Sequence, residues 1–470
     1  MSRLHASTRS MSGLEKITLG HVTVLLLASA WIYGGNIGWA RVGLSIWASL
    51  GAVITLAAFL SKTPRASARS KAIWLVPPAL YSALVVISAF NPIFREITSD
   101  GAKLLLYRGE TYPFLPGSVS AEAALRSLWF GAGVYLAAFN LCLVVHSRAA
   151  LRFLLVLLAA NTLVLSVFGT LQALSSAGYY FGADKSPNTR FFATFIYNNH
   201  WGAFMILGLA TAVALLFYYT RRLHGRDLWH SPLGSALLGV LLIATTAPIS
   251  ASRAATGMAL ALLSVALVHA LVKIITARRR EQRPVGPPLA ALLMLVVTAT
   301  GAIGWLGFRS INERYVETRA ALETNRSLLE GRLELYRDTW TLASQKPVFG
   351  WGLDSYATAF QLIRPRPVQT SRQYEGSYAT AHNDWLQSVA ETGFVGTALL
   401  LLTLALPLAS LSKSSLRHPL VAYPLGGLAI TLLYAIIEFP FASAAFLITF
   451  WILIFTLVRY SELTATSNPS

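Results

Sequence analysis

Apolar windows of about 17 to 25 residues, enough helix to cross a hydrocarbon core of roughly 30 Å, recur about twelve times in this 470-residue chain. They lie near 18–34, 42–60, 72–91, 127–146, 152–174, 200–219, 233–250, 255–275, 288–308, 392–411, 419–437 and 441–458. Backbone polar groups inside lipid must be satisfied within the segment, so such windows are read as helices. A hydrophobic share of 55%, a charged share of 12% and a mean hydropathy of +0.56 agree with that reading. The expected fold is all-α: a polytopic transmembrane helical bundle of about twelve spans, with a large, partly helical outer segment before the last three. Three units follow: an N-terminal membrane bundle of about nine spans over 1–308, an outer segment over 309–391, and C-terminal membrane helices with a short polar tail over 392–470.

The formal charge of +18 sorts by side of the membrane. Alternate connections include "SKTPRASARSK" (61–71), "SRAALR" (147–152), "TRRLHGRD" (220–227), "ARRREQR" (277–283) and "SKSSLRH" (412–418). With both termini and Lys273 these hold 20 Lys/Arg and 4 Asp/Glu, and the opposite side holds the other 18 and 16. The asymmetry predicts that the basic connections and both termini are cytoplasmic. It is a topological signal and gives no support for a nucleic-acid partner. The first span is read as a retained helix, since no small-residue cleavage pattern follows "WIYGGN". One cysteine, Cys142, lies in an apolar run and excludes a disulfide framework.

Three segments on the outer side are too long to be turns: 92–126, 175–199 and roughly 309–391. The last balances ten basic against ten acidic residues. Within it Leu328, Leu329, Leu333, Tyr336, Trp340 and Leu342 recur near helical spacing, which predicts amphipathic helices on the outer membrane surface. The glycines of "KPVFGWGLDSYATAF" predict a tight turn before a further short helix.

Polar residues cluster where outer segments meet the spans. Arg253, in "SASRAATG", is on the side where positive charge is not enriched. It either snorkels to a headgroup or carbonyl, or offers its planar donor fork to a phosphate. Arg190, ahead of Asn199 in "YNNH", has the same two readings, and Arg332 is either a solvated helix residue or a second phosphate ligand. In "TAHNDWLQSVAETGFVG" (380–396), Asn383 or Asp384 can cap the following helix. Asn383, Gln387 and Glu391, spaced i, i+4, i+8, form one polar stripe, and ionisable groups at that depth normally face a bundle interior or water-filled cavity. His382 precedes the stripe and is the residue type suited to general-base work near neutral pH. The chain has no Asp-x-Asp pair, P-loop, G-x-S-x-G or HExxH, so no metal ligand set and no cofactor is expected, and arginines can neutralise a leaving diphosphate.

"RFFATFIYNNHWGAFM", "SASRAATG", "GRLELYRDTWTLASQKPVFGWGLDSYATAF" and "AHNDWLQSVAETGFVG", in this order, resemble the O-antigen ligase and O-antigen (exopolysaccharide) polymerase superfamily. The last two look like its shared P-x-x-G-x-G and H-N-x-x-L-Q-x-x-x-E-x-G elements. The resemblance runs from about residue 120 onward, and "NPIFREITSDGAKLLLYRGETYPFLPGSVSAEAALRS" has no counterpart in it. It implies an inner-membrane enzyme that moves a glycan from undecaprenyl diphosphate to a hydroxyl acceptor on the periplasmic face, with inversion and without metal. By resemblance His382 activates the acceptor, Arg253 and Arg332 hold the diphosphate, and Arg190 and Asn199 belong to an outer loop motif. Glu391 orients helix or substrate, and Gly350, Gly352 and Gly393 shape the backbone. The acceptor is a second glycan or a lipid A core, with protein Ser or Thr as the alternative within the superfamily. A non-enzymatic lipid-linked glycan transporter is the alternative outside it, although no half-to-half repeat is visible.

Overall fold

The computed structural model describes residues 11–61, 70–99, 102–175, 186, 188, 190–220, 232–323, 328–364 and 379–465. Its bundle helices are α1 (Gly13–Trp31), α2 (Gly38–Leu60), α3 (Ser70–Ala89), α4 (Ala121–Val144), α5 (Arg148–Leu174), α6 (Asn198–Thr220), α7 (Pro232–Ile249) and α8 (Arg253–Arg280). They continue with α9 (Gly286–Glu323), α12 (Asp384–Ala409), α13 (Pro419–Tyr434) and α14 (Ala444–Ala465). Among the described residues ten helices are long and apolar enough to cross a membrane, and Gly286–Ala302 and Pro419–Tyr434 are shorter apolar helices. The chain is an all-α polytopic bundle. Side-chain caps define several helix starts: Ser12, Ser120, Ser147, Ser252 and Asn383 each accept from the backbone N–H three residues on.

Close helix approach relies on small residues. Gly51 of α2 lies against Ala137 of α4 and Gly133 of α4 against Ala48, Gly208 of α6 sits on Thr162 of α5, and Gly427 of α13 on Ala210 of α6. Without a hydrophobic drive between helices in lipid, such contacts let dispersion forces act over the whole seam. Helices α6 and α14 are buried along most of their length, whereas α8 and α9 turn many apolar side chains outward. At the end of the bundle remote from His382, Glu462 of α14 accepts from Lys71 at 2.7 Å and from Arg459 at 2.6 Å. Lys71 also donates to the Cys142 carbonyl at 2.9 Å, so one ammonium ties α3 to both α4 and α14.

The other end carries a second, smaller core. Helix α10 (Leu328–Gln345) and the single turn α11 (Tyr356–Ala359) pack over the start of α12. A two-stranded antiparallel hairpin, β1 (Phe94–Ser99) with β2 (Ala102–Tyr107), pairs Phe94 with Tyr107 and occupies the first long outer segment. Ile93, Phe94, Val119, Leu335, Leu342, Trp351, Tyr356 and Ala390 share this core. The face of α10 buried in this core is Leu335, Thr339, Leu342 and Ala343; of the expected apolar stripe Leu342 lies in it, Tyr336 is half-buried, and Leu333 and Trp340 are exposed. The side chains of Leu328 and Leu329 lie outside those described. Helix α12 begins behind the expected Asn383 cap, and its polar first turns, 384–391, precede the apolar window at 392.

Candidate active site

Three backbone segments hold His382. Asn383 caps α12, its side chain accepting from Leu386 N at 2.9 Å, which forces the preceding chain to turn. His382 takes that turn with φ +49, a left-handed conformation that histidine tolerates better than most residues. The Asp384 N–H donates to Ala435 O at 2.9 Å, and the Asp384 carboxylate accepts from Phe441 N at 3.0 Å. The start of α12 is thereby stitched to the break between α13 and α14. Tyr336 of α10 adds a third tie, its hydroxyl donating to His382 O at 3.0 Å.

Glu438, in that break, is the hub of the site. Its side chain is 3% exposed, and one oxygen, Oε1, accepts from Arg332 Nη2 at 2.6 Å and from Asn199 Nδ2 at 2.9 Å. The other, Oε2, lies 3.2 Å from His382 Nδ1. A carboxylate so paired only accepts, so in the neutral imidazole the proton between them belongs to Nδ1 and the lone pair to Nε2. Nε2 has no hydrogen-bond partner among the described residues, and the ring is 28% exposed. Phe439 braces the imidazole edge-on at 4.7 Å and stacks on Tyr197 at 5.4 Å. Asn199 is fixed in turn, accepting from Ser252 Oγ at 2.6 Å and donating to the Tyr197 hydroxyl at 2.8 Å.

The local field is cationic around one buried anion. Arg332 is 40% exposed, and besides Glu438 it donates to Ile437 O at 2.9 Å, which leaves further N–H groups facing outward. Burial would lower its pKa, but the Glu438 charge outweighs that and holds it above the ordinary value. The Tyr197 hydroxyl is pushed up to about 12 by burial and then by Glu438, against the opposing pull of the Asn199 hydrogen bond and then of Arg332 and Arg190. Both arginines therefore act electrostatically on the same hydroxyl. Arg190 is exposed and its carbonyl accepts from Asn198 N at 2.8 Å, which anchors the turn into α6. Arg253 is exposed in the first turn of α8, directly after the Ser252 that binds Asn199.

The polar stripe divides. Asn383 caps, and Gln387 accepts from Ala381 N at 3.0 Å and donates to Glu391 Oε1 at 3.0 Å. Glu391, expected beside the chemistry, is buried under the glycine turn, accepting from Asp354 N at 3.1 Å and Tyr356 N at 3.3 Å. That turn threads the kink of α12: Trp351 N donates to Ala390 O and Gly352 N to Glu391 O. A Cβ at Gly350 would meet Glu391 C at 2.4 Å, and one at Gly393 would meet Val348 O at 2.2 Å. Gly393 has φ +63 and ψ −174, a conformation essentially reserved for glycine.

His382, Arg332 and Asn199 thus converge through Glu438, a residue the sequence analysis did not single out. A signal existed: Glu438 is the one Asp or Glu between Glu391 and Glu462. A lone carboxylate in so long an apolar stretch marks a functional position. The family model described as O-Antigen ligase matches residues 238–401, which include Arg253, Arg332, His382 and Glu391 and end before Glu438. No curated protein matches the chain.

Proposed function

We propose, from the match of residues 238–401 to the O-Antigen ligase family, that the chain is a glycosyltransferase of the O-antigen ligase/polymerase type that transfers a glycan from undecaprenyl diphosphate to a hydroxyl acceptor. The acceptor is a growing glycan or a lipid A core. The reaction is metal-independent and inverting, at the periplasmic face of the bacterial inner membrane, with the basic connections and both termini in the cytoplasm. The charge asymmetry of the connections supports this orientation. One observation carries the chemistry: a single buried carboxylate, Glu438, joins the base to the cation that meets the diphosphate.

His382 Nε2 accepts the proton of the acceptor hydroxyl as its oxygen attacks the anomeric carbon opposite the diphosphate. The bond from that carbon to the diphosphate oxygen breaks, and the lipid diphosphate leaves carrying the electron pair. Glu438 keeps His382 in the tautomer that can accept, then stabilises the imidazolium. Arg332, with Arg190 and Arg253 at the exposed rim, neutralises the charge developing on the diphosphate. Asn199 positions Glu438, while Asn383, Gln387 and Glu391 hold the backbone that presents His382.

Cells lacking the protein and supplied with His382→Ala in its place test the reading. The expected phenotype is glycan accumulating on its polyprenyl carrier. Bare core at the surface then identifies a ligase, and core bearing a single repeat unit identifies a polymerase. Surface glycan of normal amount and length in those cells would overturn the proposal.

A further inference from the structure

Arg41 is a cation that the scheme above does not use. It stands in the first turns of α2, half-buried, with its guanidinium 4.8 Å from the ring centroid of the buried Phe130 on α4. Its one side-chain hydrogen bond among the described residues is long, 3.4 Å from Nη1 to Ala442 O, and no described carboxylate pairs with it. Arginine carries five N–H donors, and an arginine in a spanning helix normally pairs or faces a substrate path. Cation-π contact with Phe130 holds the group in place but satisfies none of those donors.

Its surroundings point toward the reacting centre. Ala442 ends the turn Pro440–Ala442, which follows directly on Glu438 and Phe439. The Phe439 ring touches His382 at 4.7 Å and His200 at 5.1 Å. Across the outer turn of α4, Asp354 accepts from Ser127 Oγ at 2.8 Å, and Ser127 lies one turn before Phe130. The Asp354 carboxylate acts on Arg41 through space without closing to an ion pair. Asp354 is exposed, takes a left-handed φ of +59, and is held there by its N–H to Glu391. The same α4 turn therefore carries opposite charges on either side that do not meet. None of the residues bound to Glu438 is shared with Arg41.

We propose that Arg41 and Asp354 form the subsite for the acceptor sugar. Arg41 donates to a hydroxyl, carboxylate or phosphate oxygen of that sugar, Asp354 accepts from a hydroxyl, and the attacking oxygen is thereby presented at His382 Nε2. A charged donor and a charged acceptor on one sugar give oriented, charge-assisted hydrogen bonds. This subsite rests on the glycosyl-transfer reading, and it deepens that reading by assigning the acceptor side.

The test uses the full chain in nanodiscs. The donor is radiolabelled lipid-linked glycan, and the acceptor is the glycolipid fraction from cells lacking the protein. Arg41→Gln is expected to raise the acceptor KM at least tenfold while the donor KM stays within twofold. Asp354→Asn, whose side chain also tolerates the left-handed backbone, is expected to do the same and covers the case in which Arg41→Gln fails to fold. A rise in the donor KM instead would make Arg41 part of the diphosphate clamp and overturn the subsite, as would no change in either constant. His382→Ala in the same assay keeps the two readings apart: full transfer by that variant refutes the mechanism, not the subsite. If wild-type protein transfers nothing, binding of the acceptor fraction to wild-type and Arg41→Gln nanodiscs still decides, and equal affinity overturns the proposal.

Discussion

Glu438 concentrates on one side chain what the proposed base, His382, needs from its surroundings, and it stands about fifty residues beyond the polar cluster that drew attention to His382. His382 and Asn199 were readable as polar residues at the edges of apolar runs, whereas Arg332, in a highly charged segment, was singled out by its place in the resemblance. Their common partner was not, since hydrogen bonds spanning 239, 106 and 56 positions leave no periodic trace. Arg332→Lys keeps the charge but loses the forked contact to Glu438 and Ile437 O. It should raise the donor KM about tenfold with little change in folding, measured by initial rates at saturating acceptor. Asn383→Ala removes a cap and should cost roughly 0.5–2 kcal/mol, read by thermal unfolding in detergent. Tyr197 supplies the pH dependence. Its folded pKa, about 12, lies above the ordinary 10, so the folded state holds that proton more tightly. The resulting stability is fully present below about pH 10 and is lost as pH rises through about 12. Unfolding midpoints of Tyr197→Phe and wild type measured across pH 9 to 12 should differ by an amount that shrinks toward the alkaline end; a constant difference would exclude this assignment.

At the scale of elements, the apolar windows fall on helices of the bundle, ten of them among the described residues long and apolar enough to cross a membrane, because lipid demands both length and hydropathy of every span. The window at 392 begins two polar turns inside α12, whose start the Asn383 cap marks, and no window could reveal that Gly393 breaks the helix so that the glycine turn can pass. The hairpin at 94–107 was also hidden, a short pair of strands inside a segment with no family pattern. The hairpin end and the chain that follows it brace the glycine turn, with the Tyr107 ring 6.5 Å from that of Trp351. Val119 N donates to Trp351 O, Glu110 pairs with Lys346, and Lys346 lies over the Trp351 ring. Gly393→Ala places a methyl into Val348 O and forces a conformation costing on the order of 1–3 kcal/mol. It should lower both unfolding temperature and transfer, whereas Gly257→Ala on α8, where a Cβ meets nothing within 4 Å, should change neither. Equal behaviour of the two variants would show that the threaded turn does not organise the site.

Across the whole molecule, two readings came from the sequence by different routes. The bundle followed from local chemistry, since each span can be recognised alone. The site followed only from the order of four separated segments, and its geometry arises where the ends of α6, α10, α12 and α13 meet. That meeting point is set by packing along the entire bundle, including the small-residue seams and the remote Lys71, Arg459 and Glu462 network. The central claim is that His382 and Glu438 act as one unit in proton transfer. Single-turnover transfer in nanodiscs by His382→Ala, Glu438→Gln and the double variant tests it directly. The account predicts a loss of about 10²–10⁴-fold for His382→Ala, a substantial loss for Glu438→Gln, and a double variant no slower than His382→Ala alone. Multiplying losses in the double variant, or a His382→Ala enzyme that turns over at the wild-type rate, would contradict it.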